Sequence, residues 1–377
     1  MEDEALLTST LAFYYVSAFA ISGAAFLSYK ICAPGITLDK SCVKINKVWY
    51  AVSFVIAVLI TGFAANGVDY PVYADIFTTS NDIPFTLSYY RIEPGFVLLN
   101  FVVRLFTADY KVFFFIMSFL TALFVYAAVY RMRDVLHAGW AILAFSTAFY
   151  FQQMDLKRIY LAAAIVLFGM PYVVKRQYLR AIIVIAIATS LHTSAAIMLV
   201  PVFYEMFMEK ILYRRWVVFA AVVMILLVYF LRNWLFSTPF SSRYVNYHVE
   251  DSGFGIIQPI FHIPILVVLY FFWVPKEFDE YRNVAFVLTL ASFVLGMIAY
   301  FFPITGRMFV FFMFPFMLAP SLCYDRFRPG RNLHVSFYTV MHILFFLYFC
   351  FRLYMMMYSF AYPDDLMPYR TIFGLTI

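Results

Sequence analysis

Four arginines stand where a chain of this composition should hold few charges. Arg91, Arg158, Arg243 and Arg307 lie at the ends of apolar segments or in the polar stretches between them. A guanidinium stays charged and holds a phosphate group with two parallel N–H donors. Any one of them could instead extend to the membrane surface or pair with a structural carboxylate. Together they favour a site for an anionic group, such as the diphosphate of a lipid headgroup.

Three other ionisable side chains could accept a proton near these arginines. His192 interrupts an apolar segment, and an imidazole titrates near working pH. Glu93 precedes Pro94 at the start of a short apolar segment, and Asp69 follows the second long one. Each could take the proton of a sugar hydroxyl. His192 could equally be a hydrogen-bonded packing residue. Glu93 could equally be a charge that is favoured at a helix N-terminus.

Membrane helices are the elements that must position these groups. The chain has 377 residues, 65% of them hydrophobic and only 13% charged, whereas soluble domains are about 25% charged. The net charge of +6 bears on which loops face the cytoplasm rather than on nucleic acid. We therefore expect one integral membrane domain over residues 1–377, an all-α polytopic transmembrane bundle.

A membrane span needs about 20 apolar residues, and ten segments are good candidates. They are Ser9–Ile31, Val48–Ala65, Val112–Tyr130, Ala138–Phe151, Ile159–Val174, Trp216–Phe236, Ile257–Val274, Val284–Phe302, Met308–Leu322 and Val335–Phe360. Two more are ambiguous: Pro94–Phe106 is short, and Ala181–Phe207 is interrupted around His192.

The distribution of loop charges predicts that the two ambiguous segments are broken or re-entrant. If each returns to its own side, Arg131, Arg133, Lys175, Arg176 and Arg180 stay on the cytoplasmic face, as the positive-inside rule requires. Both chain ends and the polar loops 66–93 and 237–255 then lie outside. Non-helical backbone at membrane depth needs surrounding protein or water, so these segments point towards a site.

A set of short motifs resembles the EpsG family of bacterial polysaccharide proteins. In chain order they are Gly67-Val68-Asp69-Tyr70 with Tyr73, Glu93-Pro94-Gly95-Phe96, Lys157-Arg158, His192-Thr193-Ser194-Ala195-Ala196, Arg243-Tyr244 with Tyr247, and Arg307. The resemblance covers roughly Gly67 to Leu322. Two positions depart from the family's pattern: Val68 replaces a threonine, and Ile159 replaces a glutamine.

The resemblance implies a Wzy-type polymerase with a GT-C-like bundle in the bacterial inner membrane. Such proteins polymerise oligosaccharide repeat units carried on undecaprenyl diphosphate, on the periplasmic face, for O-antigen, capsule or exopolysaccharide. The lipid diphosphate is the leaving group, so the resemblance implies neither a cofactor nor a metal. Membrane lipid surrounds the protein, a flippase and a chain-length regulator are possible partners, and no nucleic acid is expected.

Roles for individual residues follow from the resemblance together with the chemistry above. Arg158, Arg243 and Arg307 would bind the diphosphate. Glu93 or His192, and after them Asp69, would be the base. The sugar path would be lined by Tyr73, Tyr244 and Tyr247, since aromatic rings stack on pyranose faces. Attack by a base-assisted hydroxyl predicts inversion at the anomeric carbon.

Three other functions compete with the polymerase at this point. An O-antigen ligase uses the same donor with a different acceptor. A flippase or transporter of the lipid-linked unit needs a charged path open to both faces in turn, whereas the unusual charges here gather at one face. A membrane acyltransferase would use a catalytic histidine, and His192 alone does not exclude it.

Overall fold

The structure is a computed structural model that describes residues 2–31, 43–207, 259–271, 276–299, 303–323, 335–357 and 366–377, with five single positions between 219 and 230. Within these ranges it contains fourteen α-helices and one two-stranded hairpin. The predicted all-α polytopic bundle is confirmed.

The fourteen described helices are numbered along the chain. In chain order they are α1 (Glu2–Ser28), α2 (Lys47–Gly62), α3 (Tyr70–Thr79), α4 (Ile83–Tyr90), α5 (Pro94–Arg104), α6 (Tyr110–Arg131), α7 (Ala138–Ala148), α8 (Lys157–Val174), α9 (Tyr178–Leu191), α10 (Leu199–Phe207), α11 (Ile263–Phe271), α12 (Lys276–Ala299), α13 (Met313–Leu322) and α14 (Val335–Met355). Strands β1 (Tyr29–Ile31) and β2 (Val43–Ile45) pair antiparallel between α1 and α2. Three 3-10 segments also occur, at Phe151–Met154, Thr193–Met198 and Pro303–Phe312.

Among the described residues, five segments are long and apolar enough to cross a membrane, so the chain is a multi-pass membrane protein. They are Leu6–Ser28, Tyr110–Arg131, Lys157–Val174, Asp279–Ala299 and Thr305–Leu322. The 22 residues of α6 span about 33 Å at 1.5 Å per residue, which matches the hydrocarbon core. The predicted span Trp216–Phe236 lies outside the described residues except for the five single positions.

Helix α7 is the centre of the bundle, because every one of its residues is buried. Small residues allow this: a Cβ on Gly139 would lie 2.3 Å from the ring of Phe26, so α1 and α7 pack closely there. We expected a span to Phe151, but α7 ends at Ala148. The chain then passes through the 3-10 segment Phe151–Met154 into α8. The polar residues of this turn therefore reach the end of the bundle.

Helices α9 and α10 form a hairpin with His192 at its tip. The hydroxyl of Tyr178, the first residue of α9, donates a hydrogen bond of 2.8 Å to the carbonyl oxygen of Glu205, near the end of α10. The two ends of this segment are therefore on the same side of the bundle. The helix is interrupted at His192, as predicted, and the re-entrant path of this segment through the membrane stays a prediction.

The stretch between α2 and α6 includes the predicted outer loop over 66–93. It contains the helices α3 and α4, and α5 follows directly. The 11 residues of α5 reach about 16 Å, roughly half of a hydrocarbon core. Asp82 explains the start of α4, since its carboxylate accepts a hydrogen bond from the N–H of Phe85. The second predicted loop, 237–255, lies outside the described residues.

Basic residues gather at one end of the bundle, away from the His192 tip. The hairpin of β1 and β2 lies at this end, next to the start of α7, where the ring centres of Tyr29 and His137 are 3.9 Å apart. This end carries Lys30, Lys44, Lys47, Arg131, Arg133, Lys175, Arg176 and Arg180. At the opposite end the last residues of the chain pack on the end of α2 and on α1, with a bridge between Ala64 and Thr371 and a hydrogen bond from the Tyr14 hydroxyl to the Leu366 carbonyl.

Candidate functional site

The candidate site lies at the end of the bundle opposite the basic residues, where three segments meet. They are the start of α5, the start of α8 and the tip of the α9–α10 hairpin. Gly95 makes the meeting possible: a Cβ there would lie 2.3 Å from Ser190 Oγ and 2.6 Å from Ser190 O. Only a residue without a side chain lets α5 begin against the end of α9 at this distance.

Glu93 ties these three segments together. Its Oε2 lies 2.5 Å from Arg158 Nη1, and its Oε1 accepts hydrogen bonds from the N–H of Thr193 at 2.8 Å and from Thr193 Oγ1 at 3.1 Å. Glu93 occupies the N-cap position of α5, yet its side chain makes no capping bond. The helix-end explanation for this residue is therefore the weaker one, because the carboxylate is turned towards α8 and the hairpin tip.

The charge of Glu93 is well stabilised. Burial alone would raise the pKa of its carboxyl, but the Arg158 guanidinium and the Thr193 N–H outweigh burial and lower the pKa below its ordinary value. Both carboxylate oxygens already hold hydrogen bonds. The group is thus an anion of low basicity near neutral pH, which is suited to positioning rather than to proton transfer.

Arg158 is held in place but retains unused donors. Its guanidinium carbon lies 5.8 Å from the ring centre of Tyr73 and 5.3 Å from that of Phe96, and its side chain is 18% exposed. Nη1 serves Glu93, whereas the buried Nε has no hydrogen-bond partner among the described residues. Buried polar atoms in native proteins are nearly always bonded, so an unpartnered Nε at a site indicates a place for a ligand oxygen.

His192 lies between α9 and the following 3-10 segment. It is the C-cap residue of the helix and the N-cap residue of the 3-10 segment. Its Nδ1 accepts the N–H of Ser194 at 3.2 Å, so the ring proton of the neutral imidazole is on Nε2. Burial and the nearby guanidiniums of Arg158 and Arg307 lower the pKa of His192 to about 4, although Glu93 opposes them. The residue is therefore a neutral hydrogen-bond donor near neutral pH.

A second carboxylate centre lies beside this cluster, and the sequence analysis missed it. Asp155 Oδ1 accepts the N–H of Asp69 at 3.1 Å. Gly67 makes this approach possible with a φ of +110°, and a Cβ there would lie 2.6 Å from Asp155 Cα. Burial and the carboxylate of Asp69 raise the pKa of Asp155, with the Asp69 N–H and Arg307 acting in the opposite direction. Asp155 forms no ion pair within the described part of the chain, and its raised pKa suits a base.

Tyr73 is buried beneath these groups. It is 4% exposed, and its hydroxyl donates to Asp69 Oδ2 at 3.3 Å. Burial raises the pKa of the phenol, so the hydroxyl stays protonated. In this position the ring supports Arg158 and the hydroxyl orients Asp69.

Arg307 belongs to the same site, since its positive charge acts on both Asp155 and His192. It comes from the 3-10 segment Pro303–Phe312. The site therefore brings together residues from five parts of the chain, near positions 69, 93, 155–158, 192 and 307. The other three predicted residues, Arg243, Tyr244 and Tyr247, lie outside the described residues.

Two further buried polar side chains accompany Asp155 without hydrogen-bond partners in the described part of the chain. Lys157 is 3% exposed, and its Nζ lies 5.3 Å from the ring centre of Phe114. Gln153 is 2% exposed, and neither atom of its amide is bonded. The sequence does contain a signal for these residues, since a polar run from Gln152 to Arg158 separates two apolar segments. The sequence analysis assigned a role only to Arg158, the last residue of this run. Among the described residues no group of three His, Cys, Asp or Glu side chains could hold a metal ion.

Comparison with known proteins connects this geometry with one family. The model of the EpsG family matches residues 47–371, which is most of the chain and includes every residue of the site described above. No curated protein matches this chain, and no solved structure does.

Proposed function

Because this chain belongs to the EpsG family, a Wzy-like family of polysaccharide polymerases, we propose that it polymerises oligosaccharide repeat units carried on undecaprenyl diphosphate. It is a membrane protein of the polysaccharide-polymerase type. The growing chain would leave its own lipid diphosphate and pass to the terminal sugar of an incoming lipid-linked unit. The observation that carries this proposal is the convergence of Arg158, Arg307 and His192 beside Asp155.

The reaction would take place on the periplasmic side of a bacterial inner membrane. The support comes from the charges at the other end of the bundle, where Lys30, Lys47, Arg131 and Lys175 lie. Basic loops remain on the cytoplasmic side during insertion. The Glu93–Arg158 site is at the opposite end and would therefore face outward.

The donor diphosphate would bind to Arg158, Arg307 and the Nε2–H of His192. Glu93 occupies Nη1 of Arg158, and Nε, which has no partner among the described residues, would donate to a phosphate oxygen. These donors are fixed before the substrate arrives: Arg158 lies near the rings of Tyr73 and Phe96. Fixed donors stabilise the charge that develops on a departing diphosphate without reorganising during the reaction.

Asp155 is the base in this proposal, in place of Glu93, His192 or Asp69. Both oxygens of Glu93 are occupied, and Nε2 of His192 already carries its proton. The raised pKa of Asp155 matches a base better than the lowered pKa of Glu93. Asp69 would orient Asp155 through its N–H.

The proposed step is a single displacement. The acceptor hydroxyl oxygen forms a bond to the anomeric carbon of the donor sugar as the bond from that carbon to the diphosphate oxygen breaks. The hydroxyl proton passes to Asp155, and the bonding electrons leave with the diphosphate. Attack opposite the leaving group inverts the anomeric carbon. A product that retains the donor's anomeric configuration by NMR would overturn this step.

The test is a polymerisation assay with the purified full chain and a defined undecaprenyl-diphosphate repeat unit, scored by the ladder of products. Arg158→Lys and Arg307→Lys keep the positive charge and lose the planar guanidinium with its paired donors, so the ladder of products should disappear. A substitution of Arg243 should abolish the ladder as well. Arg133→Lys, at the opposite end of the bundle, is the matched control and should leave it intact.

Two results would contradict the proposal. Full ladders from all three arginine variants would remove the diphosphate site. Transfer of a preformed chain to a lipid A core, without a ladder, would show a ligase instead.

A further inference from the structure

A groove of about 520 Å³ lies between α2 and α6 at the basic end of the bundle. Its lining residues on each helix recur at the spacing of one helical face, three and four positions apart. They are Ile45, Lys47, Tyr50, Ala51 and Phe54 on one side, and Leu123, Tyr126, Ala127, Tyr130 and Arg131 on the other. Seven residues of a helix rise about 10 Å, so the groove follows roughly that length of the bundle.

Two alanines create this groove, and its tyrosines make its walls apolar. Ala51 and Ala127 line facing helices, so no large side chain fills the space between them. The hydroxyl of Tyr50 donates to the carbonyl oxygen of Tyr126 at 2.7 Å, and the hydroxyl of Tyr126 is bonded to Ser53 Oγ at 2.6 Å. Since these hydroxyls are bonded to the protein, the rings present carbon to whatever occupies the groove.

Positive charge is concentrated at one end of the groove. Lys47 is exposed at the start of α2. Arg131 is held by a 2.9 Å hydrogen bond from Nη1 to the Phe168 carbonyl oxygen, and its guanidinium carbon lies 4.2 Å from the Phe168 ring centre and 4.8 Å from that of Tyr172. A guanidinium has five donors, and the described residues accept one hydrogen bond from Arg131.

Exposed aromatic residues indicate that the bilayer surface is at the level of these charges. Trp49 is 43% exposed and Tyr130 is 39% exposed beside them, and exposed Trp and Tyr are typical of the membrane interface. Further into the membrane α2 exposes Val52 and Val55, and α6 exposes Leu123. A molecule in the groove would therefore have its polar group at the interface and its apolar part against the hydrocarbon.

We propose that this groove binds a phospholipid with an anionic headgroup, from the leaflet at the basic end. One acyl chain would lie over Ala51 and Ala127, and the headgroup phosphate would meet Lys47 and Arg131. Basic pockets between transmembrane helices are known binding places for anionic headgroups. The groove is separate from the reaction site: the 16 residues of α2 put its two ends about 24 Å apart, and the end at Gly62 is the one nearer to the site.

Native mass spectrometry of the detergent-purified full chain tests this proposal. The protein is titrated with phosphatidylglycerol or with phosphatidylcholine carrying the same acyl chains, and the first bound lipid is counted. We expect phosphatidylglycerol to bind tighter by about fivefold for each basic residue, since one Lys or Arg near a charged headgroup contributes about 1 kcal/mol. Lys47→Gln should remove about fivefold of that preference, and Lys47→Arg should restore it.

A second variant tests the groove without changing any charge. Ala51→Leu fills the space from an exposed position, so it should weaken both lipids while the protein remains monodisperse. Lys175→Gln is the matched control, because Lys175 is exposed at the same end but does not line the groove. Equal binding of the two lipids, wild-type binding by Lys47→Gln and Ala51→Leu, or a dimer that Ala51→Leu dissociates would each overturn the proposal.

Discussion

Replacing Glu93 with glutamine should loosen the whole candidate site. The glutamine keeps an oxygen for the Thr193 N–H, but its NH₂ group faces Arg158 Nη1, donor against donor. Removing one partner of a buried ion pair costs about 3–5 kcal/mol. The Arg158 and Glu93 side chains are 18% and 12% exposed, so water offsets part of the loss. With the Thr193 bond retained, we expect a loss of about 2–3 kcal/mol.

The pH dependence of this loss has a definite sign. The pKa of Glu93 is lowered in the folded protein. Its carboxylate therefore stabilises the fold above the unfolded-state pKa, and this contribution disappears as the pH falls through the folded-state pKa. The difference between wild type and Glu93→Gln should be complete at pH 7 and should narrow under acidic conditions. Thermal unfolding in detergent, followed by tryptophan fluorescence, measures it.

Activity should fall further than stability. Without Glu93 the Arg158 guanidinium is free to move, and a displacement of about 1 Å near the reacting atoms can cost on the order of 10²-fold in rate. Asp279→Asn is the matched control: it breaks the ion pair of Asp279 with Arg282 at the opposite end and should keep the polymer ladder. Our reasoning is refuted if Glu93→Gln unfolds at the wild-type temperature and gives a full ladder.

Three other predictions concern the groups around Asp155. Gly67→Ala should destabilise the protein by about 3 kcal/mol and reduce polymerisation, because Gly67 has a φ of +110° and the new Cβ would clash with Asp155. Gly374→Ala is the control, since Gly374 has a φ of +82° and open space around it. It should cost about 1 kcal/mol in the same unfolding assay and leave activity unchanged. Polymerisation should rise with pH through the raised pKa of Asp155; rate measurements across the acidic range should lose this rise in Asp155→Asn but keep it in His192→Gln, since His192 is already neutral above about pH 4. Tyr73→Phe keeps the ring and loses one hydrogen bond of the hydroxyl, so it should cost about 1 kcal/mol and only part of the activity; complete inactivity of a folded Tyr73→Phe protein would give that hydroxyl a chemical part.

The sequence was sufficient for the elements of the fold. Hydrophobic length predicted the all-α bundle, because an apolar run of about 20 residues crosses a bilayer as a helix. Loop charge predicted the re-entrant segment around His192, because basic loops stay on the cytoplasmic side. The Tyr178–Glu205 hydrogen bond that closes this hairpin is a tertiary contact, but the charges of the flanking loops already implied it. The helices within 66–93 were not predicted, because short helices lack the long apolar run that marks a span.

The chemistry of the residues alone also identified most members of the site. An arginine, histidine or carboxylate in or next to a membrane segment costs free energy, so such a residue usually has a functional or structural role. What each one does depended on its partners. Glu93 contacts residues 65 and 100 positions further along the chain, and no local pattern indicates contacts of that separation. The same holds for Asp155, whose basicity arises from burial under the Gly67 loop. The sequence by itself therefore determined which groups are out of place in a membrane. Only the tertiary structure decided which of them is held as an anion, which stays neutral and which can accept a proton, since burial and distance to other charges set those properties.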